Sequence, residues 1–146
     1  MHIKVQTDKF DGAEEISNIF GDRIDIGAVV SFTGYVRGDD GLTSMTLEHY
    51  PGMVEKMLGE IAKEAAKRWA IEDGVIIHRY GTLYPGDPIV FVGILSTHRG
   101  EAFEAACFLM DWLKTKAPFW KLEEKGKHKD WVEAKDKDNV ATKQWE

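Results

Sequence analysis

The segment 89–95 (IVFVGIL) constrains the fold more than any other part of the chain. All of its side chains are apolar, apart from Gly93, which has none. Such a strand is stable only where both of its faces are covered, so we expect it inside a sheet with packed layers above and below. A chain of 146 residues can build those layers in one domain, residues 1–146, without help from disulfide bonds.

The pattern of apolar residues predicts an element order of β-α-β-β-α-β-β-α-β-β. Strands are predicted at 2–6, 26–36, 43–50, 74–80, 89–95, 119–123 and 130–134, and helices at 13–20, 51–69 and 101–116. This order does not repeat one βα unit, which argues against a doubly wound parallel sheet. We therefore expect an α+β domain with a mixed or antiparallel sheet.

Two of these elements carry further expectations. The strand at 26–36 is rich in β-branched and aromatic residues and is predicted to be largely buried. In the helix at 101–116, one apolar stripe is predicted to face the core. That stripe consists of Phe103, Ala106, Cys107, Met110 and Leu113. Cys107 within it is interpreted as a small hydrophobic residue.

The charge of the chain excludes large polyanionic partners but leaves room for a small anion. With 19 basic and 25 acidic side chains the net charge is −6, which disfavours binding to nucleic acid or to an anionic membrane. Residues 1–113 hold 10 basic and 18 acidic side chains, whereas residues 114–146 hold 9 and 7. The basic excess at 114–146 fits either a solvated tail or a local anion site.

Cysteine content and hydropathy predict a cytoplasmic protein. The single Cys107 cannot form an internal disulfide, and the sequence has neither a signal peptide nor a long apolar run. No Cys/His cluster has the spacing of a structural zinc site, and no dinucleotide fingerprint occurs. We expect neither a metal nor a cofactor.

Two lysines near the end of the third predicted helix each have an ordinary and a functional interpretation. Lys114 falls on the apolar stripe, so it either extends past the helix end into water or places its ammonium in a cleft. Lys121 follows the stiff segment 118–120 (PFW) and is either a strand residue facing water or part of a site. His78 lies in a predicted strand and is interpreted as structural.

Two further positions present cations at the ends of strands. His98 and Arg99 lie where the most hydrophobic strand ends and a helix begins. A helix N-terminus favours anions, and an adjacent Arg can bind a phosphate with two hydrogen bonds; the alternative is a turn His and a surface Arg. Arg37 follows the second strand and either pairs with Asp39 or Asp40 or binds a ligand. Together these positions indicate an anionic small-molecule site assembled from separate elements.

Several longer segments resemble the catalytic (large) subunit of molybdopterin synthase. The match extends over about residues 26–135 in unchanged order, and its longest strings are LEHYPGM and LKTKAPFWK. The matching segments are AVVSFTGYVR at 28–37, LEHYPG at 47–52, HRYG at 78–81, YPGD at 84–87, STHR at 96–99, FEA at 103–105, LKTKAPFWK at 113–121 and WVEA at 131–134.

This resemblance implies a fold, a reaction and partners. The fold is an α/β-hammerhead-like domain with an added antiparallel β subdomain. The enzyme is a sulfurtransferase of molybdenum cofactor biosynthesis, which converts cyclic pyranopterin monophosphate (precursor Z) into molybdopterin by installing two dithiolene sulfurs. The sulfur comes from the C-terminal Gly-Gly thiocarboxylate of a small ubiquitin-like subunit. The catalytic subunit forms a homodimer within a heterotetramer.

The resemblance also assigns the candidate residues. Lys114 and Lys121 correspond to the two lysines associated with catalysis. We assign Lys114 to general acid–base work with a lowered pKa and Lys121 to charge stabilisation. The resemblance places the substrate beside Arg37, His98, Arg99, Lys114, Lys121, Tyr35, Val36, Leu122 and Glu123.

Three positions depart from the family's pattern. Tyr35 and Leu122 stand where members of the family can carry a basic residue, so these two positions lack a charged contact to the substrate. Lys135 stands where arginine can occur. We expect Lys135 to supply a cation across the dimer interface, without the two-pronged geometry of an arginine.

A non-catalytic binding module fits the same charge pattern. Such a protein would capture the extended tail of a partner by strand addition or in a basic groove. The enzyme requires its cations around one small-molecule-sized pocket, namely Arg37, His98, Arg99, Lys114 and Lys121. A binding module would spread them along a groove. A general nucleotide-phosphate enzyme is disfavoured because no phosphate-loop motif is present.

Overall fold

A computed structural model describes residues 1–126, 128–132 and 136–146, with residues 136 and 137 described by their backbone alone. Its strands are β1 His2–Gln6, β2 Ala28–Tyr35, β3 Ser44–His49, β4 Ile71–Arg79, β5 Gly81–Leu83, β6 Pro88–Ser96, β7 Phe119–Lys125 and β8 His128–Val132. Its helices are α1 Gly12–Phe20, α2 Met53–Arg68, α3 Arg99–Thr115 and α4 Asp136–Lys143. Every predicted element is present, although the predicted end of the last strand, at 133 and 134, lies outside the described residues. The short β5 and α4 were not predicted.

The apolar segment forms the central strand of a mixed sheet, as predicted. This main sheet has the order β1-β4-β6-β2, in which β1 pairs with β4 in parallel and the other pairs are antiparallel. From Val90 to Ser96 every residue of β6 is buried. Helices α2 and α3 cover one face through a large apolar core, and α1 covers the other through Phe10, Ile16 and Ile19.

The prediction that the second strand is largely buried is wrong. In the order above β2 is an edge strand, so one side of its backbone lacks a partner strand among the described residues. Val29, Phe32 and Tyr35 on β2 are 42%, 42% and 59% exposed. A strand rich in β-branched and aromatic residues fits a pleated surface, but its composition does not fix its place within a sheet.

A second sheet is entirely antiparallel and has the order β5-β3-β7-β8. Met45 and Leu47 on β3 face inward and form a small core with Val36 and Leu83. Phe119, the first residue of β7, packs against both this small core and the large one. The architecture is therefore the expected α+β fold with an added antiparallel sheet.

The predicted core stripe of α3 is only partly buried. The face of α3 that packs on the main sheet consists of Ala102, Ala105, Ala106, Phe108, Leu109 and Leu113. Phe103 is 57% exposed and Cys107 is exposed, so the interpretation of Cys107 as a core residue is wrong. Small alanines let the helix approach the sheet closely, and this turns the larger Phe103 outward.

Polar contacts and the ring of Trp145, which packs against Phe108, hold α4 and the residues after it on α3. Thr142 Oγ1 donates to the Asp111 carbonyl at 3.1 Å, and Trp145 Nε1 donates to the Asp111 carboxylate at 2.5 Å. Arg68 from α2 donates to the Trp145 carbonyl at 2.7 Å. Because this docking uses few apolar residues, α4 lacks the amphipathic pattern that predicts a helix. None of the described helices has the length and apolar composition needed to cross a bilayer.

Candidate active site

Arg37 directly follows a hydrogen-bonded backbone segment at one end of the main sheet. The preceding Val36 is buried, its N–H donates to the Asp87 carbonyl at 2.8 Å, and its carbonyl accepts from the Gly86 N–H at 2.8 Å. The turn at 84–87 therefore fixes the direction in which the chain leaves β2. The Arg37 side chain is 75% exposed and lies 3.9 Å from Asp39. A contact this long and exposed constrains the guanidinium weakly.

Lys114 and Lys121 both lie in the neighbourhood of Phe119. Lys114 is exposed in the last turn of α3, and its positive charge contributes to the lowered pKa of His78, whose ring stacks on Phe119. Lys121 is two residues beyond Phe119 on the same face of β7, since side chains alternate along a strand. Its ammonium lies 3.9 Å from the Glu123 carboxylate. The end of α3 that carries Lys114 and the part of β7 that carries Lys121 are therefore linked through His78 and Phe119.

The other residues predicted to contact the substrate near this end of the main sheet do not share one face. Glu123 shares the inner face of β7 with Lys121 and is paired with Met45 across the sheet. Leu122 lies on the outer face, opposite Trp131. Tyr35 is at the end of β2 and lines a surface cavity of about 690 Å³ beneath α1. Lys135 lies outside the described residues.

His98 and Arg99 lie at the N-terminus of α3, as predicted. His98 is the N-cap residue, and Arg99 is the first helical residue. Both side chains are exposed. Free N–H groups at this end of α3 favour a bound anion, so the local chemistry agrees with the expectation.

These two residues are far from the other cations of the same chain. At 1.5 Å per residue, Arg99 and Lys114 are separated along α3 by roughly 22 Å. The β2–β6 ladder, which pairs Ala28 with Ser96 and Tyr35 with Pro88, likewise places Arg37 and His98 roughly 25 Å apart. Within a single chain, therefore, the five residues do not surround one pocket.

An exposed apolar strip connects the two cationic ends. Phe103, Cys107, Met110 and Lys114 recur at helical spacing and form the outer stripe of α3. The opposite flank of α3 faces α2, where Arg68 lies over the Phe108 ring at 4.8 Å. The outer stripe therefore faces the free edge of β2. Phe32, 42% exposed, lies on the face of β2 that packs toward α3.

One buried ionisable residue, His78, was not predicted from the sequence to have a functional role. His78 on β4 is 8% exposed, its Nδ1 lies 2.8 Å from the Arg79 carbonyl, and its ring stacks on Phe119 at 3.9 Å and 18°. A carbonyl only accepts, so Nδ1 carries the hydrogen. Burial lowers the pKa of His78 from 6.5 to about 4, and the charges of Lys114 and His49 act in the same direction.

Acid is expected to destabilise the fold through His78. The unfolded chain takes up a proton below about pH 6.5, whereas folded His78 resists protonation until about pH 4. Neutral His78 therefore makes its full contribution to the free energy of unfolding above about pH 6.5, and this contribution is lost as the pH falls toward about 4. Between pH 7 and 4.5 the loss should amount to about 2 kcal/mol. Urea unfolding of the wild type and of His78→Phe at both pH values measures it; equal pH dependence of the two proteins would contradict it.

Comparison with known proteins places the chain among relatives of one kind. The family model described as MoaE protein matches residues 5–116. The molybdopterin synthase catalytic subunit of Pseudomonas aeruginosa is 50% identical over 149 aligned residues, which cover 100% of this chain and 99% of that protein. The structure of the molybdopterin biosynthesis MoaE protein from Burkholderia ambifaria is 46% identical, with a TM-score of 0.85, and the match covers 99% of this chain and 97% of that one.

A more distant structure has the same fold. It is described as the protein–protein complex of subunits 1 and 2 of the molybdopterin-converting factor from Helicobacter pylori, and its matched chain is 18% identical with a TM-score of 0.74. The match covers 92% of this chain and 90% of that one. The family model and the full-length similarity to catalytic subunits identify this chain as a member of the molybdopterin synthase catalytic subunit family, an enzyme of molybdenum cofactor biosynthesis.

Proposed function

We propose that this chain transfers sulfur from the thiocarboxylated C-terminus of a small ubiquitin-like subunit to cyclic pyranopterin monophosphate. The product is the dithiolene of molybdopterin. The observation that carries this proposal is the position of three cations near Phe119. Arg37 follows Val36, which belongs to the small core that Phe119 contacts. Lys121 is two residues beyond Phe119 on β7, and Lys114 is close enough to His78, which stacks on Phe119, to lower the pKa of that histidine.

The charges of the reactants match these cations. The pterin substrate carries a phosphate, and the partner's tail ends in an anionic thiocarboxylate. Arg37 and Arg99 offer the planar donor pairs that bind phosphate. When the thiocarboxylate sulfur attacks, a C–S bond replaces a C–O bond of the pterin side chain; Lys114 protonates the departing oxygen and Lys121 stabilises negative charge beside it. Water then cleaves the acyl C–S bond of the resulting thioester, which leaves the sulfur on the pterin and releases the small subunit with an ordinary carboxylate.

The tail of the small subunit enters beside the second sheet. Lys121 lies on the inner face of β7, so a chain end that reaches it must pass between the second sheet and the end of α3. The Helicobacter pylori structure of the same fold is described as a complex of two subunits of the molybdopterin-converting factor, which supports a two-subunit assembly for this chain. A cleft lined by lysines suits a terminal thiocarboxylate better than a neutral peptide.

Two copies of this chain complete one site. In a twofold dimer whose axis crosses the middle of the outer stripe of α3, the two helices run antiparallel, so Lys114 of one copy meets Arg99 of the other. The same contact covers Phe32, Phe103 and Met110, which a lone chain leaves partly exposed. The homodimer therefore accounts for both the separated cations and the uncovered apolar strip.

Reconstitution tests the reaction directly. The chain is mixed with the thiocarboxylated small subunit and cyclic pyranopterin monophosphate, and molybdopterin is measured by mass spectrometry. We expect product only when the small subunit carries the thiocarboxylate. The matched control is the same subunit with an ordinary C-terminal carboxylate, which binds but has no sulfur to give. Tight binding of the thiocarboxylated subunit without any product would favour the non-catalytic binding module.

A further inference from the structure

A layer of four rings lies beneath the connection between α3 and β7. The His78 ring stacks on Phe119 at 3.9 Å, and the His49 ring lies 5.8 Å from Phe119 and 4.2 Å from Tyr80. Three different strands and the adjoining Tyr80 contribute to it. Of the four, His78 is the most deeply buried, and nothing in the proposed reaction uses it.

Short stretches of chain join Phe119 to both lysines. Only residues 116–118 separate the last residue of α3 from Phe119. Within them the Lys116 N–H donates to the Trp112 carbonyl at 2.7 Å, and the Phe119 N–H donates to the Ala117 carbonyl at 2.9 Å. A connection this short and hydrogen-bonded transmits any shift of Phe119 to Lys114 on one side and to Lys121 on the other.

We propose that His78 is a positioning residue for the sulfur transfer described above: its ring, anchored by the Nδ1–H hydrogen bond to the Arg79 carbonyl, holds Phe119 and thereby sets the distance between Lys114 and Lys121. The expected effect of His78 on turnover rests on the proposed function. The expected effect of His78 on the distance between the two lysines does not.

Histidine suits this position for two physical reasons. Its ring is flat enough to stack on Phe119 and also carries an in-plane donor for the Arg79 carbonyl, a combination that phenylalanine and asparagine each provide only in part. Its ionisable neighbours are Lys114 from α3 and His49 from β3, while the strand residues paired with it, Val5 and Val90, are apolar. A neutral imidazole avoids repulsion with Lys114.

The test compares three replacements of His78 in the reconstituted synthase. His78→Leu removes both the flat ring and the donor, and we expect kcat to fall by about 10- to 100-fold while KM for the thiocarboxylated subunit changes by less than about threefold. His78→Phe keeps the stacked ring and should recover most of kcat. His78→Asn keeps only a donor and should recover less than His78→Phe.

Phe108→Leu is the matched control. Phe108 packs against Trp69 in the large core, so the variant loses a buried aromatic contact away from both lysines and should leave kcat unchanged. A kcat for His78→Leu no lower than that of Phe108→Leu overturns the proposal. If His78→Leu does not fold, the other two variants decide. A higher kcat for His78→Asn than for His78→Phe contradicts positioning through the ring.

A crystallographic measurement separates this proposal from the proposed function. The distance between the Lys114 and Lys121 Cα atoms should change in His78→Asn and stay constant in Phe108→Leu. If the wild-type chain forms no molybdopterin, the proposed function fails while this distance still reports on positioning. An unchanged distance in His78→Asn rejects the positioning role even where the wild type is active.

Discussion

Replacement of Lys114 by alanine is expected to lower turnover of the reconstituted synthase by about 100- to 10,000-fold, the range that a general acid contributes. Lys114 is exposed at the end of α3, so its removal costs the fold little, and the loss falls on the reaction. Its ammonium can donate a proton to the oxygen that leaves the pterin side chain. Single-turnover formation of molybdopterin, with thermal melts of both proteins, measures the effect.

Lys116→Ala provides a control two residues away. Lys116 is also exposed, on the same turn of chain, but its ammonium lies over the Trp112 ring at 5.5 Å from the ring centre. Residues 112 and 114 are about 200° apart around the helix, so Lys116 lies on the side of α3 opposite Lys114, and its removal should leave turnover within about twofold of the wild type. Turnover by Lys114→Ala equal to that of Lys116→Ala would show that Lys114 has no part in the chemistry.

The assignment of separate roles to the two lysines has its own signature. Arginine keeps the positive charge but does not release a proton near neutral pH. Lys114→Arg should therefore remain slow, whereas Lys121→Arg should keep much of its activity, because charge stabilisation needs a cation rather than a proton donor. The reverse order would exchange the two roles. Glu123, 3.9 Å from Lys121, limits how far the replacement arginine can move.

Much of the fold could be predicted because local patterns and tertiary packing agree. The apolar segment 89–95 lies in an inner strand of its sheet, and the helix predicted at 51–69 buries Val54, Leu58, Ile61 and Ala65 at helical spacing. In α3 two apolar stripes compete, and periodicity alone does not tell which of them faces the sheet. The stripe with more alanine packs inward because it allows closer approach, and the stripe of Phe103 and Met110 remains for a partner.

The separation of Arg99 from Lys114 was also predictable from the sequence. A helix predicted over 101–116 has Lys114 near its end and Arg99 two residues before its start, and a rise of 1.5 Å per residue gives roughly 20 Å between residues 101 and 114 alone. His78 was harder to identify, because a histidine within an apolar strand commonly has a purely structural role. Its stacking on Phe119 depends on a contact between β4 and β7, about 40 residues apart in sequence, which no local pattern encodes.

Complementation between two inactive variants should restore activity if two copies share one site. A heterodimer is assembled from one copy with Lys114→Ala and one with Arg99→Ala, each with a different affinity tag. One of its two sites then combines the intact Lys114 of one copy with the intact Arg99 of the other, while the second site lacks both. The purified heterodimer should reach about half of the wild-type turnover per dimer, although each parent homodimer is nearly inactive.

A second heterodimer distinguishes a shared site from a general effect of mixing. Lys114 and Lys121 lie beside the same Phe119 of one chain, so a heterodimer of Lys114→Ala and Lys121→Ala contains no intact site and should stay inactive. Restoration in the first heterodimer but not in the second places Arg99 across the interface from the lysines. Inactivity of both would mean that α3 of one chain serves two separate anion sites. In that case something other than a second copy of this chain would cover the outer stripe of α3.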